Sequence, residues 1–522
     1  MNFFAEIIWD DFSPVYPILG ILGAVFLLLF LPVILGRRGS PHYVLIAFAG
    51  LSISLVLILM EANTGPSESP LKPGGSGTLG SGLILDPMGW LLGLFIVGSA
   101  LFGVLIASIT ASKESSTDLP EHFLFILVST LGWCLVTISN NFLMLFVGLN
   151  MGALPLFLFL AQQRSPQGAE ATVKICLPGL LCLGAIFYGM SLCYIGLHTT
   201  SLNPQTDIPA AGRLQILITL GLVLIVSGCL FFSGCLPGNS WFADIQEACS
   251  PHIACFVVTV PVLGGFAAIL RLFPLMQQFG FASAYGLNIF SVFFIACGII
   301  TCVWNSLAAL AQRNMLRTLG YLINSLAGGI LLSLGAALLF SEMFSRAGLT
   351  AVTGDLVFYI LTVVLAIPGI LALLQDGKTV DFSNLPIAAS RHPLAAFCAV
   401  ISVGSLAGFP LTCGFIFKLR LLALLTDHMN WIILLALMGL SISTLLNVLV
   451  WLRLSTCIYS RSTAGERIKT VSALVAVAAV LILPNAVLAL AYGPLSQIAG
   501  AFPPAPMPPH AIVFSASAVG QN

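Results

Sequence analysis

Charge is what this sequence has least of. Lys and Arg together number 19 and Asp and Glu 19 in 522 residues, so 7% of the chain is charged, where soluble domains carry about 25%. That excludes a soluble globular domain, and the zero formal net charge removes the basic surface that nucleic acids need. No lysine lies between Lys174 and Lys378. The stretch Met1 to Pro14 holds Glu6, Asp10 and Asp11 but no basic residue, so it does not read as a cleaved signal peptide. Thirteen cysteines fall mostly inside apolar runs. Without metal-ligand spacing they read as small hydrophobes. Haem, iron–sulfur and nucleotide motifs are missing, and the Gly-rich Gly74–Gly82 follows no strand and reads as a loop. The tail beyond Tyr492 is Pro-rich and has no Asp, Glu, Lys or Arg.

What is present is apolar sequence: 58% hydrophobic residues and a mean hydropathy of +1.06. This predicts an all-α polytopic membrane protein. Fourteen spans are expected, at about 16–36, 42–60, 88–110, 123–139, 142–162, 171–198, 214–236, 252–271, 284–310, 318–341, 355–374, 394–423, 430–457 and 470–492. No soluble domain separates them. Lys and Arg at the connections divide twelve to four in favour of the odd-numbered ones. The positive-inside rule then puts the odd connections in the cytoplasm and both termini on the other side.

The most informative stretch is Ser405-Leu-Ala-Gly-Phe-Pro-Leu-Thr-Cys-Gly-Phe-Ile-Phe-Lys418. It interrupts an apolar run that as one helix would be about 48 Å long, against a hydrocarbon core of about 30 Å. Gly408, Pro410 and Gly414 supply a break, and Lys418 falls about one turn into the second half-helix. An amine at that depth costs at least about 2.5–3.5 kcal/mol. Broken helices with such groups serve ion and proton movement; the plainer reading is that Lys418 and Arg420 snorkel to an interface. A second interruption follows the span at 214–236, in Cys235-Leu-Pro-Gly-Asn-Ser-Trp241. Pro237 lies five spans before Pro410, which suggests an internal repeat.

Four stretches, in order, carry a resemblance: Ser139-Asn-Asn-Phe-Leu-Met-Leu-Phe-Val-Gly-Leu-Asn-Met-Gly-Ala-Leu-Pro-Leu156; Val260-Pro-Val-Leu-Gly-Gly-Phe-Ala-Ala-Ile-Leu-Arg271; Gln312-Arg-Asn-Met-Leu-Arg-Thr-Leu-Gly-Tyr321; and Arg391-His-Pro393 followed by the Ser405–Lys418 stretch. Over roughly residues 80–460 the chain resembles the antiporter-like membrane subunits of respiratory complex I, the subunit N group (subunit 2 in mitochondria) in particular. The resemblance implies fourteen helices and two inverted five-helix repeats, here 123–271 and 284–457. Helices 1–3 (1–122) precede them and helix 14 with its tail (458–522) follows. It also implies a place in the inner membrane beside other membrane-arm subunits. NADH, flavin, iron–sulfur clusters and quinone would belong to other subunits, with no cofactor or metal in this chain.

In that family a chain of buried lysines, a glutamate and waters is thought to move protons. The chemistry needs groups that exchange a proton in a low-dielectric interior. Burial weakens an amine's hold on its proton and a nearby carboxylate restores it. Here the resemblance puts uncharged residues at most relay positions: Asn150 for the glutamate, Phe232 and Val262 for lysines, Asn239 for a histidine, and Leu322, Ile323 and Leu326 in the tenth helix. Losing both members of a buried pair can be neutral, whereas losing one is costly. Asn150 and Phe232 therefore read together as one discharged site, and the first half-channel is expected to be inactive. Lys174 and Lys418 remain as proton-path candidates, with Asp244 and His252 as secondary candidates. Lys174 lies four residues after Glu170 and can equally form a helix-end pair. His252, just after Pro251, can be an interfacial cap. Asp244 and Glu247 are expected in a loop, and Asn140 and Asn324 as helix-packing hydrogen bonders. A subunit of a multisubunit cation/proton antiporter and a non-transporting scaffold of the same fold stay open beside the complex I reading.

Overall fold

The computed structural model describes residues 15–460, leaving out 36–39, 64–81, 85, 111–118, 163–165, 204–211, 250, 283–286, 340, 375–380 and 427–429. The fourteenth span, expected at 470–492, lies outside the described residues. So does much of the basic-residue asymmetry, including Arg37, Arg38, Lys72, Lys113, Arg164 and Lys378.

The described chain is helical apart from one two-stranded ribbon, Phe281–Ala282 against Leu287–Asn288. Three helices come first: α1 (Tyr16–Leu35), α2 (Ser40–Asn63) and α3 (Pro87–Thr110). The next group is α4 (Leu119–Ile138), α5 (Phe142–Ala161), α6 (Pro166–Leu197), α7 (Arg213–Phe232), the short α8 (Phe242–Ala248) and α9 (Pro251–Arg271). After the short α10 (Phe273–Phe279) come α11 (Ile289–Ala311), α12 (Met315–Leu339), α13 (Ser341–Leu373), α14 (Leu385–Arg391), α15 (Pro393–Ala407), α16 (Cys413–Thr426) and α17 (Trp431–Ile458). Eleven of these are long and apolar enough to cross a membrane, and α1 and α15 hold shorter apolar segments. The chain is a multi-pass membrane protein.

Both expected breaks are present. The fourth span of the first group stops at Phe232 and resumes at Phe242 as α8. Its counterpart five spans later stops at Ala407 and resumes at Cys413 as α16. Five is an odd number, so the second group enters the bilayer from the side opposite to the first, and the two breaks face opposite ways. Asp244 and Glu247 therefore stand on or beside a helical turn after the break, not in the loop expected from their polarity. A further difference concerns α13. The apolar run begins at Asp355, but the helix begins at Ser341, so Asp355 lies well inside it.

Burial sorts the helices. The most apolar window of α9 is 100% buried, that of α12 94% and that of α13 89%, against 33% for α2 and 39% for α6 and α17. The first three form the interior, and the others turn apolar side chains such as Leu181 and Leu445 outward, where lipid would cover them. The two-residue gap at Asn140-Asn141 is a tight turn: Asn141 caps α5 by accepting from Met144 N at 2.7 Å. Asn140 joins loops, accepting from Asn203 Nδ2 at 3.4 Å and from Leu202 N at 2.9 Å.

Candidate functional site

The α15–α16 break is built from its glycines. Gly408 ends α15 in the left-handed region at φ 86°, which glycine adopts without strain. Gly414 starts α16 so close to α15 that a Cβ there would lie 1.8 Å from Ser405 O. Pro410 sits exposed between them. The end of a helix leaves carbonyls without intrahelical donors. Lys418, half-buried one turn into α16, reaches back over Gly408 and donates from Nζ to Ala407 O at 2.6 Å. A cation is also favoured at the negative end of the α15 dipole.

Two residues further on, Arg420 does not snorkel. Its Nε donates to Asp355 Oδ1 at 3.0 Å, with the two side chains 14% and 2% exposed, and its guanidinium lies over the Phe358 ring. This pair ties α16 to α13. Sequence reasoning missed Asp355 because it opens the apolar run and so looked like a span edge. The available signal was a carboxylate and an arginine that are both bordered by apolar sequence.

The α7–α8 break is of another kind. The Leu236–Pro237 peptide bond is cis, and Gly234 has φ 69°. Polar side chains hold the break to α11: Asn239 Nδ2 donates to Asn305 Oδ1 at 3.2 Å, and Leu236 N donates to Thr301 Oγ1 at 3.2 Å. Asn324 does not pair as expected. Its Oδ1 faces Gly234 and has no hydrogen-bond partner among the described residues. Nearby, Asn447 Nδ2 donates to Ser325 Oγ at 2.8 Å, and Ser306 and Ser443 share a 2.8 Å hydrogen bond. These contacts bind α11, α12 and α17 through uncharged groups.

Aromatic carbon fills the space around Phe232. Its ring is buried and meets Trp133 edge-on at 5.6 Å and Phe231 at 5.4 Å. Trp133 in turn lies against Gly152 of α5 and Gly264 of α9, where a Cβ would come within 2.7 and 1.9 Å of its ring. Asn150 is two residues, about 200° of helix, from Gly152. It lies half-buried beside an outer groove with Phe146, Val147 and Leu154, and donates to Phe146 O at 2.8 Å. The structure thus does not bring Asn150 to Phe232, although the sequence pairs them. Val262 and Leu326 are buried, with no polar atom to offer.

Lys174 approaches the first break from outside, with its side chain 44% exposed. It bonds Glu170 at 2.7 Å and Asp244 at 2.8 Å. Asp244 also meets Arg317 at 2.7 Å, and Arg317 reaches Glu247 at 3.3 Å. The network ties α6, α8 and α12 together at one end of the bundle. His252 is on the first turn of α9, and its side chain lies outside the described set. Among the described residues no group of three or more His, Cys, Asp or Glu could hold a metal ion.

Comparison with known proteins places this architecture. NADH-quinone oxidoreductase subunit N of Coxiella burnetii is 28% identical over 444 residues, 82% of this chain and 85% of that one. Subunit N of Polaromonas naphthalenivorans is 27% identical over 439 residues, 81% and 84% of the two chains. Among solved structures, a chain of respiratory complex I from Thermus thermophilus superposes with a TM-score of 0.71 at 22% identity, covering 93% of this chain and 99% of that one. A chain of an archaeal membrane-bound sulfane sulfur reductase gives 0.75 at 19% identity, covering 94% and 97%. A chain of the Mrp complex from Dietzia gives 0.71 at 17% identity, covering 94% and 96%. At those identities the structures show the fold. The family described as NADH:quinone oxidoreductase/Mrp antiporter, transmembrane, matches residues 139–444, and these run from the α4–α5 turn through both breaks into α17. By that match the chain belongs to the NADH:quinone oxidoreductase/Mrp antiporter transmembrane family.

Proposed function

We propose that the chain is a subunit-N-like membrane-arm component of a proton-translocating NADH–quinone oxidoreductase. In it, the second repeat moves protons past Lys418 and the first has lost that capacity. The observation that carries this is the Lys418 ammonium on the Ala407 carbonyl, inside a helix break. That amine has a local acceptor and no carboxylate of its own among the described ion pairs, so it can exchange its proton without breaking a salt bridge. The first repeat offers Phe232, Trp133 and Val262 in the corresponding interior, and none of these takes a proton. Lys174, held between two carboxylates at the surface, serves as a tether between α6 and α8.

In this reading residues 123–271 and 284–457 are the two antiporter-like repeats, flanked by 1–122 and 458–522. The chain sits in the inner membrane with its odd connections in the cytoplasm and both termini on the opposite side. Redox groups and quinone are held by sister subunits, which dock along the long outer helices. The relatives' own names support the complex I assignment over an antiporter.

The test is proton pumping per electron pair in sealed vesicles of the native complex, wild type against Lys418→Ala, with assembly followed on native gels. Pumping should fall while assembly persists. Unchanged pumping would reduce the subunit to a spacer. Absence of the chain from any NADH-oxidising assembly would remove the complex I reading altogether.

A further inference from the structure

Among the described residues two ion pairs, Asp86–Arg271 and Asp355–Arg420, are buried, and they are not alike. Asp86 is fully engaged. Its Oδ1 accepts from Gly89 N at 2.8 Å and from Arg271 Nη2 at 2.6 Å, and its Oδ2 accepts from Arg271 Nη1 at 3.0 Å. Asp355 is half-engaged. Oδ1 accepts from Arg420 Nε at 3.0 Å. Oδ2, sealed from solvent, has no hydrogen bond among the described residues. The Ser333 hydroxyl lies within reach of the carboxylate and donates to Ile330 O at 3.0 Å. A buried carboxylate oxygen left without a donor is costly, and a structural pair gains nothing from it.

We propose that Asp355 is a proton-carrying residue of the second repeat, with Oδ2 as the atom that accepts the proton. The inference rests on the proposed function above, since it needs protons to reach α16. Three features favour it. Arg420, its charge partner, is on the same half-helix as Lys418, about 200° round it, so α16 carries both the amine at the break and, on its other side, the cation that steadies Asp355. Arg420 binds through Nε alone, which leaves Oδ2 open where a bidentate grip would close it. Ser333 can turn its hydroxyl from Ile330 O to the Asp355 carboxylate, so a proton arriving there meets a group that can donate or accept. The transfer is a plain acid–base step. One O–H bond of a protonated water breaks and one O–H bond at Asp355 Oδ2 forms. The donor becomes neutral water, the carboxylate becomes a carboxylic acid, and no electrons move. Among the described residues the charged group facing Asp355 is Arg420 from α16, and α12 contributes the uncharged Ser333.

The first experiment uses the wild-type complex in native membranes, treated with a membrane-permeant carbodiimide that modifies protonated buried carboxyls, followed by peptide mass mapping. Modification is expected at Asp355, increasing as pH is lowered, and not at the fully bonded Asp86. If Asp355 stays unmodified under conditions that inhibit pumping, or reacts no more than Asp86, the proposal is overturned. The second experiment compares pumping per electron pair in Asp355→Glu and in the double variant Asp355→Asn/Arg420→Gln, which removes both charges and strands neither. The expected result is pumping retained in the first and reduced to the Lys418→Ala level in the second. Wild-type pumping by the double variant overturns the role of Asp355 while leaving that of Lys418 intact. Unimpaired pumping by Lys418→Ala removes the proposed function itself.

Discussion

Lys418 Nζ lies 2.6 Å from the carbonyl oxygen of Ala407, eleven residues earlier in the chain. The break in the helix makes that oxygen available, and the lysine uses it. One contact therefore serves as a helix cap and as a parking place for a titratable amine. The two roles separate by substitution. Arginine keeps a permanent charge and several donors but does not release its proton at any accessible pH. Lys418→Arg is expected to assemble at near wild-type levels and to pump no better than Lys418→Ala. Recovery of pumping with arginine would assign Lys418 to capping alone.

The packing of the break makes its own demand. Any side chain at residue 414 must displace the Ser405 carbonyl, because even a Cβ would sit 1.8 Å from it. Overpacking of this kind costs about 1–3 kcal/mol, and here the obstacle is backbone. Gly414→Ala should lower the yield of assembled protein on native gels and its thermal stability in detergent. Ala at the exposed, unpacked position of Gly23 should leave both unchanged.

The Phe232–Trp133 contact predicts a change in stability without a change in function. Phe232→Leu keeps the interior apolar and should leave pumping per electron pair at the wild-type value. Phe232→Ala opens a cavity under Trp133 and, by analogy with protein cores, costs about 3–5 kcal/mol, visible as an earlier thermal transition. Pumping normalised to assembled complex should again be unaltered. A specific loss of pumping in Phe232→Leu would return the first repeat to the proton path.

The surface network predicts a small, salt-sensitive effect. Lys174 and Arg317 both bind Asp244, and exposed pairs of this kind contribute about 1 kcal/mol or less each. Asp244→Asn and Lys174→Ala should each lower thermal stability slightly at low salt, and the difference from wild type should shrink as salt screens the charges. Neither should alter pumping. A pumping defect larger than the assembly defect in Lys174→Ala would put that lysine back among the proton carriers.

The sequence announces some of these features and conceals others, for physical reasons. Gly408, Pro410, Gly414 and Lys418 are legible because an apolar run too long for the bilayer must break, and local residue types decide where. The aromatic filling at Phe232 follows from residue type too. Which way a side chain faces is not local. Asn150 looked like the partner of Phe232 because the resemblance aligns both with relay positions. In the folded chain the tight α4–α5 turn and the glycine contact with Trp133 rotate Asn150 onto the outer face of α5. Asp355 was hidden by a boundary: the less apolar segment from Ser341 onward is helical, so the first charge of the apolar run became an interior residue. Its bond to Arg420 joins positions 65 apart in sequence, and no window along the chain connects them. Asp244 gave the same lesson in reverse, a polar residue assigned to a loop that the chain winds into a short helix.

The Asp86–Arg271 pair shows what a purely structural buried charge should do. Arg271 grips both carboxylate oxygens and also donates to Thr137 O through Nε at 2.7 Å and through Nη2. Asp86 also caps α3 through Gly89 N. One side chain thus fastens α9 to the start of α3 and to the end of α4. Removing the arginine alone leaves a buried carboxylate without compensation, worth about 3–5 kcal/mol. Arg271→Met should therefore reduce assembled protein severely. Arg271→Lys preserves the charge but not the fork, so it should fall between Met and wild type. Pairing Arg271→Met with Asp86→Asn removes both charges while keeping an oxygen for the α3 cap, and should restore most of the lost stability. The measurement is assembled yield and thermal transition across the four variants including Asp86→Asn alone. A double variant as poor as Arg271→Met would mean that the carbonyl bonds to Thr137, and not the neutralised carboxylate, are what hold these helices together.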